Sequence, residues 1–151
     1  MPYLIDGHNL IPKLGLRLDS PDDEMQLIGI LQEFCRLQRR KAEVYFDGAP
    51  AGQAGTKNYG TIKVHFVRIG TPADTAIKLR LEKMGRAARN WVVVSSDHAV
   101  QGSARTANAD VISSEKFVKL LKKSSPYKST NDMDGKLSPE EVEEWLKLFK
   151  K

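Results

Sequence analysis

A chain of 151 residues, 40% apolar and 28% charged, suffices for one globular domain burying about two-thirds of its unfolded surface. No apolar stretch reaches the ~20 residues that span a bilayer, and Met1-Pro2-Tyr3-Leu4-Ile5 meets Asp6 without a charged-then-apolar leader pattern. The single Cys35 cannot form an internal disulfide, so a reducing cytoplasm is the expected compartment. The net charge of +5, with a pI near 9.3, favours a polyanionic partner such as nucleic acid over a membrane.

In chain order, residues 2 to 6 read as a strand. Residues 21 to 40 read as a helix, with Ser20 as its cap, Pro21 in the first turn and Asp22, Asp23 and Glu24 at the positive end of its dipole. Leu27, Ile28, Leu31, Phe34 and Cys35 form its apolar face, so Cys35 is expected to be an inert core thiol. A second strand covers 42 to 47. The glycine-rich stretch from Gly48 to Gly60 reads as a mobile loop, and Ile62 to Val67 returns to strand. A helix follows from Pro72 to about Arg86, with Ala73, Ile77, Leu81 and Met84 inward. Trp91 to Ser95 is the most hydrophobic strand and is expected at the centre of the sheet. A weaker helix from His98 to Ala107, a short strand at 110 to 112 and a helix from Ser114 to Lys123 complete a first domain, residues 1–123.

Residues 124–137 form a polar linker. Residues 138–151 form an amphipathic helix opened by the capping box Ser138-Pro139-Glu140-Glu141. Val142, Trp145, Leu146 and Phe149 share one face, so this C-terminal helix is expected to dock on the domain or on a partner. The alternation of strand and helix predicts an α/β fold with a mainly parallel sheet and right-handed crossovers.

Three apolar runs end on an aspartate: Tyr3-Leu4-Ile5 on Asp6, Val44-Tyr45-Phe46 on Asp47, and Trp91 to Ser96 on Asp97. A fourth, Asp74, stands where strand gives way to helix in Thr71-Pro72-Ala73-Asp74. Each has a local explanation. Asp6-Gly7 and Asp47-Gly48 are turn dipeptides, Asp74 completes a capping box with Thr71, and Asp97 suits a first helical turn behind Ser95 or Ser96. Their joint placement says more. Ligands bind outside the carboxyl ends of parallel strands, and neighbouring strand ends lie ~5 Å apart. Converging carboxylates repel unless a cation joins them, and Mg²⁺ or Mn²⁺ suits such a set of hard oxygens. On a basic protein this points to phosphodiester chemistry.

The same residues carry a resemblance. Asp6-Gly7-His8-Asn9 after the first strand, Phe46-Asp47-Gly48, Ala73-Asp74 opening a helix through Ile77, and Ser95-Ser96-Asp97 after a hydrophobic strand resemble the NYN (YacP-like) branch of PIN-domain ribonucleases, over roughly residues 2 to 121. The resemblance implies a PIN-like three-layer α/β sandwich and metal-dependent RNA cleavage leaving a 5′-phosphate. Asp6, Asp74 and Asp97 would hold Mg²⁺ or Mn²⁺, Asp47 would be a further acid, and Asn9 would orient Asp6. Thr75 departs from the pattern, since similar sequences often place another acid there.

Lys57, Arg68, Arg80, Arg86, Arg89 and Arg105 are candidate phosphate contacts, and Tyr59 is placed to stack on an unpaired base. His8 and His98 neighbour acids, but no closed set of His and Cys supports zinc. Asp132-Met133-Asp134-Gly135 through Glu141 partly matches a calcium loop. Thr130 at its first ligand position and Pro126 before it favour a plain turn. The leading function is therefore a Mg²⁺- or Mn²⁺-dependent endoribonuclease acting on RNA. The runner-up is a noncatalytic RNA-binding or ribosome-associated module, with a homo-oligomer left open. A nucleotide-binding protein is disfavoured, because Gly52-Gln53-Ala54-Gly55-Thr56-Lys57 lacks the phosphate-loop order.

Overall fold

The computed structural model describes residues 1–15 and 22–124. Six strands form one sheet in the order β3-β4-β2-β1-β5-β6, where β1 is Tyr3–Asp6, β2 Ala42–Ala49, β3 Gly55–Tyr59, β4 Ile62–Arg68, β5 Val92–Val94 and β6 Asp110–Ile112. All neighbours run parallel except the β3–β4 hairpin. The helices are the single turn α1 (Gly7–Leu10), α2 (Asp22–Gln38), α3 (Ala73–Met84), α4 (His98–Thr106) and α5 (Ser114–Ser124).

Alternation along the strands divides the core in two. Tyr3, Ile5, Val44, Val64 and Val94 face a cluster built with Leu27, Leu31 and Phe34 of α2 and Phe117, Val118 and Leu121 of α5. Leu4, Tyr45 and Val93 face the other way, onto Ala73, Ile77 and Leu81 of α3 and Val100 and Ala104 of α4. The result is a helix–sheet–helix sandwich. Cys35 is fully buried, and burial pushes its thiol pKa up to about 11, as suits a core thiol.

Three expectations change. The stretch from Gly48 to Gly60 is not an irregular loop: it holds a 3₁₀ turn at Ala51–Gln53 and then β3, an antiparallel edge strand on β4. The centre of the sheet belongs to β2 and β1. The apolar run of β5 reflects burial on both faces between β1 and β6, which any interior strand shares. The N-cap of α3 is Pro72, with no side-chain cap bond, so Thr71 and Asp74 make no capping box. Ser20 and Pro21, the linker, the calcium-like segment and the helix with Trp145 and Phe149 lie outside the described residues.

Arg80 has a task away from the strand ends. Its guanidinium forms a two-pronged ion pair with Glu43 of β2 (Nε–Oε1 2.9 Å, Nη2–Oε2 2.8 Å) and lies over the Trp91 ring at 5.8 Å. His65 reaches the same carboxylate at 3.0 Å, its ring stacked on Tyr45 at 4.4 Å. Burial pushes the Glu43 pKa up, but the His65 and Arg80 contacts outweigh it and hold it at about 2. Removing one partner of such a pair strands the other charge. Arg80→Met should therefore lower stability by about 2–4 kcal/mol while leaving RNA affinity within twofold, read by denaturant melts and filter binding. A large affinity loss at unchanged stability would restore Arg80 to the RNA contacts.

Candidate active site

The register explains why Asp6 is buried. Ile5 pairs with Val94 across β1 and β5, so the next residues, Asp6 and Ser95, stand level at the strand ends on the face shared with α3 and α4. The Ser95 hydroxyl, fully buried, donates to Asp6 Oδ2 at 3.1 Å. It also accepts the Asp97 N–H at 3.0 Å, so one hydroxyl ties the first acid to the backbone of the last. Gly7 follows Asp6 because a Cβ there would run into the Phe46 ring. The glycine is a packing requirement and not a turn device.

Asp47 arrives by another route. Pairing of β2 with β4 slips between Phe46 and Ala49, and Gly48 takes φ 79, a left-handed backbone conformation that glycine adopts without strain. The bulge releases Asp47 from the ladder. Its Oδ2 accepts the Ala73 N–H at 3.2 Å, at the start of α3, and its Oδ1 meets His8 Nδ1 at 2.7 Å. The other ring nitrogen of His8 meets Glu24 Oε2 at 2.6 Å. The Glu24 hydrogen bond above all, opposed by burial and reinforced by Asp47, raises the His8 pKa, and the ring bridges two carboxylates from α2 and β2. With both nitrogens engaged, His8 is not presented as a zinc ligand.

Asp97 is the N-cap of α4. Its Oδ1 accepts the Ala99 N–H at 2.8 Å, so Asp97 itself caps the helix and Ser95 or Ser96 does not. Asp74 lies in the first turn of α3, its Oδ1 accepting the Thr75 N–H at 2.8 Å, one residue beyond the Ala73 peptide that Asp47 grips. Burial, opposed by the Ser95 hydrogen bond and reinforced by the charges of Asp97 and Asp47, lifts the Asp6 pKa to about 6, with His8 pulling the other way. The charges of Asp47 and Asp97 therefore reach Asp6 through space.

Asn9 has a different role from orienting Asp6. Its amide oxygen accepts the Ser96 N–H at 2.8 Å and the Ser114 hydroxyl at 2.7 Å, which pins the β5–α4 loop and the start of α5 to α1. The residue that orients Asp6 is Ser95. Nothing marked Ser95, Ser114 or Glu24 as partners in advance. Ser95 lay inside the Ser95-Ser96-Asp97 motif, but Glu24 read as an ordinary helix-dipole acid.

The donor chemistry suits a hydrated cation better than a protein cage. Among the described residues no group of three or more His, Cys, Asp or Glu side chains stands in ligating geometry. Magnesium commonly uses one or two carboxylates and keeps several waters, and buried Asp6 beside Asp97 offers that. Arg68 is exposed at the end of β4, whereas Arg105 is exposed on the last turn of α4, at the opposite end of that helix from Asp97. Lys57 on β3 lies over the Phe66 ring at 5.4 Å, and Tyr59 closes the same strand. Arg86 and Arg89 line a groove of about 770 Å³ between α3 and α4, together with Lys78 and His98.

No helix among the described residues is long and apolar enough to cross a membrane. Comparison with known proteins gives a consistent answer. The structure is similar to that of Rae1 (YacP) from Bacillus subtilis, with a TM-score of 0.67 and 20% identity over 82% of this chain and 75% of that one. It is similar also to the W164L mutant of the same protein, with a TM-score of 0.65 and 21% identity over 82% and 76%. No curated protein matches the chain significantly. The sequence profile of the YacP-like NYN domain matches residues 3–150. The chain belongs to the YacP-like NYN family.

Proposed function

We propose that this protein is a Mg²⁺- or Mn²⁺-dependent endoribonuclease working at the carboxyl ends of β1, β2 and β5. The observation that carries the reading is the grouping of Asp6, Asp47 and Asp97 on neighbouring parallel strand ends, close enough for Asp97 and Asp47 to raise the Asp6 pKa. In this reading Asp6, Asp97 and Asp74 hold the ion, and Asn9 keeps the surrounding loops in register. The chemistry such an ion supplies is activation of water toward phosphorus and neutralisation of charge on the phosphate oxygens.

The chain's own residues do the positioning. The Ser95 hydroxyl holds Asp6 and the backbone of Asp97 in one frame. His8 and the Ala73 N–H hold Asp47 at the edge, where its charge keeps the pocket electronegative. We assign the phosphate contacts to the exposed Arg68 and Lys57 and, further along the RNA at the far end of α4 from Asp97, to Arg105, with Tyr59 stacking on an unpaired base. The RNA would run as a single strand or loop, because a metal at a strand end reaches a splayed backbone more readily than one inside an A-form groove.

Cation binding to the folded state alone must raise the melting temperature. At ~100 times its Kd, Mn²⁺ should add about 2.7 kcal/mol of stability, and Asp6→Asn or Asp97→Asn should remove most of that gain. A second reading, a noncatalytic RNA-binding module, is favoured by the lack of three acids in ligating geometry among the described residues. A melting temperature indifferent to Mn²⁺, together with RNA binding and no cleavage, would decide for that module.

A further inference from the structure

Beside Asp47 lies a small pocket whose lining does not include Asp6 or Asp97. Its volume is about 260 Å³, and its walls include Glu24, Met25, Asp47, Gln53, Tyr59 and Phe66. Lys57 stands over the Phe66 ring at 5.4 Å, and Phe66 in turn stacks on Phe46 at 5.9 Å. Met25 is a large apolar side chain left 49% exposed at the rim, its sulfur 3.9 Å from the Tyr59 hydroxyl. The pocket exists because β2 bulges at Gly48 and the chain then returns as the Ala51–Gln53 turn and β3.

We propose that this pocket receives one unpaired nucleobase of the RNA, next to the phosphate held at Asp6 and Asp97, and that β3 with its preceding turn therefore sets sequence preference. The inference rests on the ribonuclease reading for its substrate and extends it to a specificity site. Three features choose a base over other occupants. The volume falls below the ~300–1,000 Å³ of pockets for drug-sized ligands, so it suits a group the size of a single flat ring system and not a helix. Aromatic and thioether walls offer a stacking surface, which binds any base face. Lys57 adds a cation at the mouth for the flanking phosphate, while the Gln53 amide and the Glu24 carboxylate can hydrogen-bond a base edge. The shared residue Asp47 makes the pocket continuous with the acidic centre.

The test uses a single-stranded oligoribonucleotide with one defined cleavage site, in which each nucleotide near the cut is replaced in turn by an abasic one. Wild-type protein with Mn²⁺ should lose roughly tenfold in kcat/KM at one position beside the cut and little at the others, the value of one lost stack. Tyr59→Leu and the rim variants Met25→Ala and Lys57→Ala should flatten that profile. The two rim residues are exposed, so at least these variants keep the fold if Tyr59→Leu does not. A flat wild-type profile, or a sharp profile retained in all folded variants, overturns the inference.

A second readout needs no turnover. Asp97→Asn protein is mixed with an oligoribonucleotide carrying 2-aminopurine, and stacking in the pocket should quench its fluorescence, with the quench lost in the Tyr59→Leu or Met25→Ala background. Quenching without any wild-type cleavage would keep the pocket and remove the nuclease reading. Cleavage with a flat abasic profile and no quench would do the reverse.

Discussion

Asp97→Asn should abolish RNA cleavage while leaving the melting temperature within a few degrees of wild type. Two properties of one residue make this the sharpest test. As the N-cap of α4, Asp97 accepts the Ala99 N–H, and asparagine caps a helix about as well as aspartate. As a charge beside Asp6, it helps make the site electronegative, and asparagine removes that charge. The loss should therefore fall on turnover and not on folding or RNA affinity, and affinity should rise slightly because one negative charge near the phosphates is gone. Ca²⁺ should support binding with poor turnover, since its looser coordination holds a reacting water less strictly. The measurement is cleavage across a Mn²⁺ titration by both proteins, purified identically. Equal rates would trace the activity to a contaminating nuclease.

Asp6→Asn should inactivate the protein and make it more stable at neutral pH. The Asp6 pKa rises from 3.8 to about 6 in the folded protein. An acid whose folded pKa is raised is tolerated when protonated and penalised when ionised. Its favourable contribution is complete below the unfolded pKa of 3.8 and disappears as pH climbs through about 6. Above that window the ionised group costs roughly 3 kcal/mol, from two pKa units at about 1.4 kcal/mol each. Asparagine carries no such charge and still accepts the Ser95 hydroxyl. The stability gap between Asp6→Asn and wild type should thus be small near pH 4, open between pH 4 and 6, and stay at about 1–3 kcal/mol above pH 7. Denaturant melts at several pH values read it directly. A gap that does not widen with pH would mean that Asp6 is ionised without penalty. Saturating Mn²⁺ should close the gap by stabilising wild type alone.

Much of this architecture was legible because it rests on strong local signals. The strand ends at Asp6, Asp47 and Asp97 and the helices at 22–38, 73–84 and 114–124 follow from apolar periodicity and its interruption. Strand β3 was not legible. Gly55-Thr56-Lys57-Asn58-Tyr59 has no apolar alternation, and as an edge strand exposed at four of its five residues it needs none. The acids could be named but not their supports. Asn9 finds Ser96 and Ser114 at sequence separations of 87 and 105, and His8 finds Glu24 in a helix that seemed to need its acids only for the dipole. Arg80 shows the converse. Its type suggests a phosphate contact, and only the fold reveals Glu43 beneath it.

The Asn9 junction also bears on when the site comes into being. One amide oxygen joins segments that leave the ribosome at the beginning, late middle and end of the domain. Contacts of such long range close only after the intervening chain has been made. The first acids emerge early, Asp6 meets the Ser95 hydroxyl only after most of the domain has followed, and the Asn9 junction closes later still, with Ser114. A nascent chain of this protein therefore carries its acidic residues past the surrounding ribosomal and messenger RNA in an unassembled form. The complete strand-end site is thus a late product of synthesis, because its junction closes only after Ser114 has been made.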